Sequence, residues 1–329
     1  MRPVKPAGPV PEGTRRTRDM HACEKSDMTI VPKKAVNNEA TTSAERWEGR
    51  VVPKGNGRQN AASWTQSQGI ASTGLLAVRQ AAQRDKRKQF TNLLHHIDVP
   101  LLRKSYYQLK RNAAPGIDGV SWVEYGEKLE ERLQALHQRV HRGSYRARPA
   151  RRIGIPKADG SERPLSILCL EDKILQQAAA HVLNAIYEED FMGFSYGFRP
   201  GRGQHDALDA LHVALCRKKV NWVMDADIRK FFDSMEHDWT IRFLQHRIAD
   251  KRLIRLIDKW LKVGTYEQGK RIAQQRGAPQ GAVISPILAN VYLHYVYDLW
   301  VQQWRSRTAR GDMVVIRYAD DTVLGFQHH

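Results

Sequence analysis

The sequence predicts an α+β fold, in which helices pack against short antiparallel strands. From residue 75 onward, most segments carry apolar residues three and four positions apart, which is the spacing of amphipathic helices. Two short runs, 151–157 and 163–168, flank an Asp-Gly pair and are typical of a β-hairpin. Two apolar runs near the end of the chain flank the acidic pair Asp320 and Asp321, which indicates a second pair of antiparallel strands.

The composition limits the class of protein. The 329 residues, 41% of them hydrophobic, suffice for at least one folded core. Lys and Arg number 53 against 35 Asp and Glu, so the net charge of +18 favours a polyanionic partner, most simply nucleic acid. Apolar spans are interrupted by polar residues, so no membrane association is expected. The three cysteines lack paired spacing, which indicates neither a zinc site nor disulfides and fits a reducing cytoplasm.

The chain divides into three segments by composition. Residues 1–75 are rich in Pro, Gly, Ser, Asn and Gln and predict a disordered basic arm, which is either a solvated tail or an arm that settles on RNA. Residues 76–220 and 221–329 are predicted to be folded. Their predicted elements, besides the hairpin and the final strands, are helices at 99–109, 121–140, 170–190 and 203–219, a buried strand at 220–228, two helices within 236–263 and a long helix at 279–305.

Carboxylates end two of the predicted strands. Asp227 closes the apolar run that begins at Val223, and Asp320 and Asp321 occupy the final turn. If the two strands are neighbours in one sheet, these carboxylates converge and can hold two divalent ions about 4 Å apart, as in phosphoryl-transfer sites. Magnesium suits such a hard oxygen shell. Adjacent aspartates are also ordinary turn residues, so the acidic pair alone does not establish a metal site.

Basic and glycine-rich segments indicate contacts with a nucleotide or nucleic acid. Lys157 and Arg163 lie across the Asp-Gly hairpin, where they can reach a triphosphate or form a solvated loop. The segment 193–203 interleaves Arg199 and Arg202 with aromatic residues, which suits RNA backbone and bases, although packing explains the aromatic residues as well. The turn that opens the helix at 279–305 is rich in glycine and can approach a base pair or phosphate.

The order of the motifs is more specific than any one of them, and it resembles group II intron reverse transcriptase/maturases. The resemblance covers roughly residue 75 to the end of the chain. Its blocks are A-P-G-I-D-G at 114–119, I-P-K-x-D-G-x-x-R-P-L at 155–165, S-Y-G-F-R-P-G-R-G at 195–203, A-D-I-x-x-F-F-D at 226–233, P-Q-G-x-x-x-S-P-x-L-x-N at 279–290 and Y-A-D-D at 318–321.

The resemblance implies a right-hand polymerase with fingers to about residue 220, followed by an antiparallel palm sheet. It implies catalytic and metal-binding roles for Asp227, Asp320 and Asp321, with the Ile228 carbonyl as a further metal ligand. It also implies that Lys157 and Arg163 hold the triphosphate, that Phe232 excludes a 2′-hydroxyl and that Gln280 lines the nucleotide pocket. Asp225 and Asp233 match no catalytic position and are expected to be structural.

The implied reaction is the addition of deoxynucleoside triphosphates to a DNA primer by two Mg²⁺ ions, with group II intron RNA as template and folding partner. The implied setting is a cytoplasmic ribonucleoprotein. The family continues through a helical thumb, so the chain is expected to stop just after the catalytic hairpin and to bind RNA with little processive synthesis. Two alternatives stay open: a truncated maturase fragment that only binds RNA, and an RNA-templated RNA polymerase, which Phe232 disfavours. The sequence does not indicate the oligomeric state.

Overall fold

A computed structural model describes residues 73–156, 160, 162–267 and 269–328. All of them belong to one unit, residues 42–329. The predicted arm at 1–75 lies outside the described residues except for its last three positions. Lys157 also lies outside them.

The helices follow amphipathic patterns and begin at recognisable caps. Ser121 accepts a hydrogen bond from the Glu124 amide at the start of α3, and Asp98 does the same for the Leu101 amide in α2. The helices are α1 (Thr73–Arg84), α2 (Val99–Gln108), α3 (Trp122–Gly126), α4 (Leu129–His141), α5 (Leu170–Tyr187), α6 (Gln204–Arg217), α7 (Phe231–Ser234), α8 (His237–Gln245), α9 (Lys251–Lys262), α10 (Ser285–Leu293) and α11 (Leu299–Arg307).

The strands form two separate sheets. The hairpin sheet has the order β2-β1-β4-β5, and the aspartate sheet has the order β3-β7-β6. Neighbours are antiparallel except β1 and β4, which are parallel. The strands are β1 (Ala150–Pro156), β2 (Glu162–Ile167), β3 (Trp222–Asp227), β4 (Thr265–Glu267), β5 (Lys270–Ile272), β6 (Met313–Tyr318) and β7 (Asp321–Phe326).

A large helical core surrounds α5, which packs against α1, α2 and α10. Ile174, Leu175 and Val182 of α5 have no exposed surface, as expected for a helix that is apolar on most of its circumference. A smaller core lies under the aspartate sheet, where β6 and β7 pack on α11 and on Phe194. Among the described helices, none combines the length and the apolar character that crossing a bilayer requires.

The α+β class is confirmed, and so are the hairpin and the final pair of strands. The helix predicted at 121–140 is instead two helices, α3 and α4, that are separated at Glu127 and Lys128. The long helix predicted at 279–305 begins at Ser285 and contains a π-helical turn at His294–Asp298 between α10 and α11.

One further prediction about the strands was wrong, and two short strands were missed. β3 was expected to be buried, but as the edge strand of its sheet it exposes Trp222, Val223 and Met224. The strands β4 and β5 were not predicted, because each is only three residues long and carries no clear apolar alternation. They join the hairpin sheet, so the segment assigned to the palm also contributes to the other sheet.

Candidate active site

The aspartate sheet brings two of the predicted catalytic residues face to face. β3 and β7 are antiparallel neighbours, and their register places Asp227 directly opposite Asp321. Side chains at such positions have Cβ atoms roughly 5 Å apart. Both residues are exposed, and the Asp227 carboxyl group is within hydrogen-bonding reach of Asp321. The two strands are therefore neighbours, as the sequence predicted, and the residue directly opposite Asp227 is Asp321. The approach of Asp320 to Asp227 stays a prediction.

Asp320 lies in the tight turn that joins β6 to β7. Tyr318 pairs with Asp321, so only Ala319 and Asp320 form the loop. Ala319 is buried and has a φ of 58°, a value that is strained for a residue with a Cβ atom. This conformation places the two acidic residues at the end of the hairpin, next to the end of β3.

The cluster carries excess negative charge. Partial burial raises the pKa of Asp321, and the carboxylates of Asp320, Asp227 and Asp225 raise it further. Asp225 lies on the same face of β3 as Asp227, because side chains two residues apart in a strand point the same way. Asp225 was expected to be only structural, but it contributes to the field at this site.

The residues present fit a divalent metal in their donor chemistry. Carboxylate oxygens are the ligands that Mg²⁺ prefers, and a cation would relieve the repulsion that raises the pKa of Asp321. No group of three His, Cys, Asp or Glu residues in the described part of the chain already surrounds a single ion position. The Ile228 carbonyl accepts a hydrogen bond from the Phe231 amide at 3.2 Å, so one of its two lone pairs is already used.

The tandem phenylalanines after β3 have different environments. Phe231 is 4% exposed in the helical core, whereas Phe232 is half-buried. The Phe232 ring meets the edge of Phe198 at 6.1 Å between centroids. Phe198 has a φ of 60°, and Lys230, which precedes the pair, has a φ of 53°. With Ala319, these are all the residues other than glycine that have a positive φ in the described chain, and such strain tends to cluster at functional sites.

Gln280 lies beside the Phe232 segment. Its amide donates to the Asp233 carboxylate at 3.4 Å, and the Ala278 amide donates to the Phe232 carbonyl at 2.8 Å. Asp233 thus has a structural contact, as expected. A Cβ atom on Gly277 would lie 2.8 Å from the same carbonyl, so only glycine permits this close approach.

The hairpin sheet abuts the Gln280 loop. The Ser166 amide of β2 donates to the Gln280 carbonyl at 2.7 Å. Arg163 pairs with Ile155 across the hairpin, and its side chain, like Lys157, is outside the described part of the structure. The strand that carries the predicted triphosphate contact therefore leads to the predicted nucleotide pocket.

The predicted RNA contact at Arg199 needs correction. The Arg199 side chain is 3% exposed and forms an ion pair with Glu188 at 3.0 Å, and it also donates to the Met192 and Ser195 carbonyls at 2.8 Å. A guanidinium that is buried and bonded in this way holds its own loop instead of RNA phosphate. Arg202 is half-buried and donates to the Gly193 carbonyl at 2.7 Å, so its RNA contact stays a prediction.

Gly197 was missed as a site residue, although its motif was identified. A Cβ atom on Gly197 would lie 2.2 Å from the Ala319 amide nitrogen, so the loop backbone presses directly on the acidic turn. The Asn290 amide donates to the Gly197 carbonyl at 2.8 Å and fixes this approach. A glycine between two aromatic residues was the available signal.

Comparison with known proteins identifies the family of the chain. The family model for "Reverse transcriptase (RNA-dependent DNA polymerase)" matches residues 155–329. The Escherichia coli protein YkfC is 36% identical in an alignment that covers 64% of this chain and 62% of that protein. The Lactococcus lactis group II intron-encoded protein LtrA is 31% identical over 71% of this chain and 39% of its own length.

A third relative, an uncharacterised 91 kDa protein in the cob intron of Schizosaccharomyces pombe, is 35% identical over 67% of this chain and 27% of that protein. The chain thus spans between about a quarter and three fifths of the length of these relatives. The family match and the intron-encoded relatives confirm the resemblance found in the order of the motifs. The chain therefore belongs to the reverse transcriptase family, and it is similar to group II intron-encoded proteins.

Proposed function

We propose that this chain carries the active site of an RNA-directed DNA polymerase of a group II intron. The observation that carries the proposal is the register that sets Asp227 opposite Asp321, beside the turn that bears Asp320. Three carboxylates at the ends of neighbouring strands suit the binding of two Mg²⁺ ions. Bound there, the ions would stabilise the charge that develops on the attacking and leaving oxygens of phosphoryl transfer.

The residues around the carboxylates would bind and select the nucleotide. Phe232 is half-buried and supported by Phe198, so its ring provides a firm wall against a ribose 2′-hydroxyl. Gln280 is held beside it by its backbone bond to β2. Lys157 and Arg163 of the hairpin would hold the triphosphate by charge-assisted hydrogen bonds.

The proposed nucleic-acid partners are inferred from the net charge of the chain and from its similarity to an intron-encoded protein. A net charge of +18 favours association with RNA through phosphate contacts. The similarity to a group II intron-encoded protein makes intron RNA the natural template and folding partner, with a DNA primer that is extended. Within the segment 193–203, Arg202 is the remaining candidate for contact with RNA. We propose that the protein acts in a cytoplasmic ribonucleoprotein.

Primer extension by the chain, with an RNA template, magnesium and single deoxynucleotides, tests this proposal. The expected result is addition directed by the template base, which is abolished by Asp227→Asn and retained by Asp209→Asn, a change at an exposed residue of α6. RNA binding without any templated addition, in wild type and variants alike, would instead support the fragment that only binds RNA.

A further inference from the structure

A buried arginine lies directly beneath the acidic turn. Arg317 is 1% exposed although it belongs to β6, whose other residues are Met, Val, Ile and Tyr. Its guanidinium reaches the Ala319 carbonyl at 2.8 Å, which is the carbonyl of the strained turn residue that precedes Asp320. A bond from a fixed charge to this carbonyl restrains the peptide plane between Ala319 and Asp320.

The rest of the guanidinium is held by a network that leaves it little freedom. Nε and Nη2 donate to the two oxygens of Asp298 at 2.7 and 2.6 Å, a bidentate pair. Nη1 also donates to Asn290 at 3.2 Å, and Nη2 donates to the Ser195 hydroxyl at 2.7 Å. All five N–H donors of the arginine therefore have an acceptor. Lysine has no planar fork and cannot reproduce this arrangement.

Asp298, the partner of Arg317, lies at an irregularity in its helix. Asp298 is fully buried at the last position of the π-helical turn at His294–Asp298. Single π-helical turns are rare and often occur at functional sites. Here the turn lies between α10, which carries Asn290, and α11. Asn290 and Asp298, which both accept hydrogen bonds from Arg317, thus lie close to or within the π-helical turn.

The loop that carries Ser195 completes the support. The Arg317 amide donates to the Phe194 carbonyl, and the Tyr196 amide donates to the Arg317 carbonyl, both at 2.9 Å. Asn290 connects the two sides, because it accepts from Arg317 and donates to Gly197. The turn is therefore held from below by the guanidinium and from the side by the loop.

We infer that Arg317, held by Asp298, is a positioning residue that fixes the Ala319 carbonyl and thereby the direction of the Asp320 carboxylate. Its role goes beyond burial of an ion pair, because one of its bonds reaches the backbone of the turn itself. The predicted effect of Arg317 on metal affinity rests on the proposed function. Its predicted effect on the rigidity of the turn does not depend on the proposed function.

The test uses Arg317→Lys, with Arg247→Lys as the matched control. Arg247 is also a buried arginine, 2% exposed, that pairs with a buried aspartate, Asp190 at 3.1 Å, and bonds carbonyls, but it lies in the helical core. The first readout is hydrogen–deuterium exchange of a peptide that contains residues 319–321, without metal. Loss of the carbonyl bond is expected to speed exchange there roughly tenfold in Arg317→Lys and not at all in Arg247→Lys.

A second variant covers the possibility that Arg317→Lys unfolds. The double change Arg317→Met with Asp298→Leu removes both charges together, which avoids a buried unpaired carboxylate, and it also removes the turn bond. It is expected to fold with the same fast exchange at 319–321. Exchange at wild-type rate in either folded variant would overturn the inference.

The second readout is the affinity for Mn²⁺, followed by its electron paramagnetic resonance. A weakening of roughly tenfold in Arg317→Lys, against none in Arg247→Lys, supports positioning of Asp320. Asp320→Ala separates the two proposals. If Asp320→Ala leaves the Mn²⁺ affinity of the wild type unchanged, the metal site of the proposed function fails, while the exchange of residues 319–321 still decides the inference.

Discussion

The contact between Gly197 and the acidic turn gives a sharp prediction for a single methyl group. Gly197→Ala would place a Cβ atom 2.2 Å from the Ala319 nitrogen and 2.9 Å from the Tyr318 carbonyl carbon. Real Cβ atoms essentially never approach within 3.0 Å, so the backbone of the turn or of the loop must move by roughly 1 Å. The loop cannot absorb the whole shift, because backbone bonds to Arg317 and the Asn290 side chain hold it.

The expected magnitude follows from that displacement. A shift of about 1 Å at a reacting group can lower the rate on the order of a hundredfold. Overpacking in a well-packed region also lowers the free energy of unfolding by about 1–3 kcal/mol. Gly197→Ala is therefore expected to stay folded and to lose most of its rate.

Single-turnover addition of one templated deoxynucleotide is the assay, with urea unfolding in parallel. Gly193→Ala is the matched control, because Gly193 lies in the same loop and a Cβ atom there would have open space around it. It is expected to add nucleotide at the wild-type rate. A Gly197→Ala protein with the same rate as Gly193→Ala would refute the claim that the turn geometry limits the reaction.

Three further predictions follow from burial and charge. Partial burial and the neighbouring carboxylates raise the pKa of Asp321, so its ionised form destabilises the metal-free protein at pH 7. Asp321→Asn should therefore raise the free energy of unfolding in EDTA, unlike Asp209→Asn. The stability gained by Asp321→Asn should shrink as the pH falls toward the ordinary aspartate pKa. Equal changes in unfolding free energy for Asp321→Asn and Asp209→Asn would contradict the prediction. Burial raises the pKa of Asp172 to about 6, so its contribution to stability is complete below about pH 4 and is lost as the pH rises through 6. Urea unfolding should show this loss, on the order of 3 kcal/mol, in the wild type but not in Asp172→Asn. Phe232→Val should admit ribonucleotides, and an unchanged ratio of ribonucleotide to deoxyribonucleotide addition would mean that Phe232 serves only packing.

Much of the fold could be predicted because its signals are local. The Asp-Gly hairpin, the cap at Ser121 and the two apolar strands around Asp320 and Asp321 depend on neighbours in sequence. The order of the strands within a sheet does not depend on neighbours in sequence. The sequence could not show that β7 rather than β6 adjoins β3, so it could not identify Asp321 as the direct partner of Asp227.

The roles of buried charges were the least predictable part of the site. Arg199 looked like an RNA contact because its motif is basic and aromatic, but Glu188, eleven residues earlier, holds it in the interior. Arg317 and Asp298 carried an available signal, since each is a lone charge in an apolar segment. Such a charge is stable only with a partner, so two of them in one chain predict a buried ion pair between them.

The central claim is that Asp227, Asp320 and Asp321 together bind the catalytic metal ions. Anomalous X-ray diffraction from crystals grown with Mn²⁺, primer, RNA template and an incoming deoxynucleotide tests it most directly. We expect two anomalous peaks about 4 Å apart, with carboxylate oxygens from both β3 and the turn between β6 and β7 as ligands. Peaks that contact only one of these segments, or carboxyl groups of Asp227 and Asp320 more than about 8 Å apart, would contradict the account.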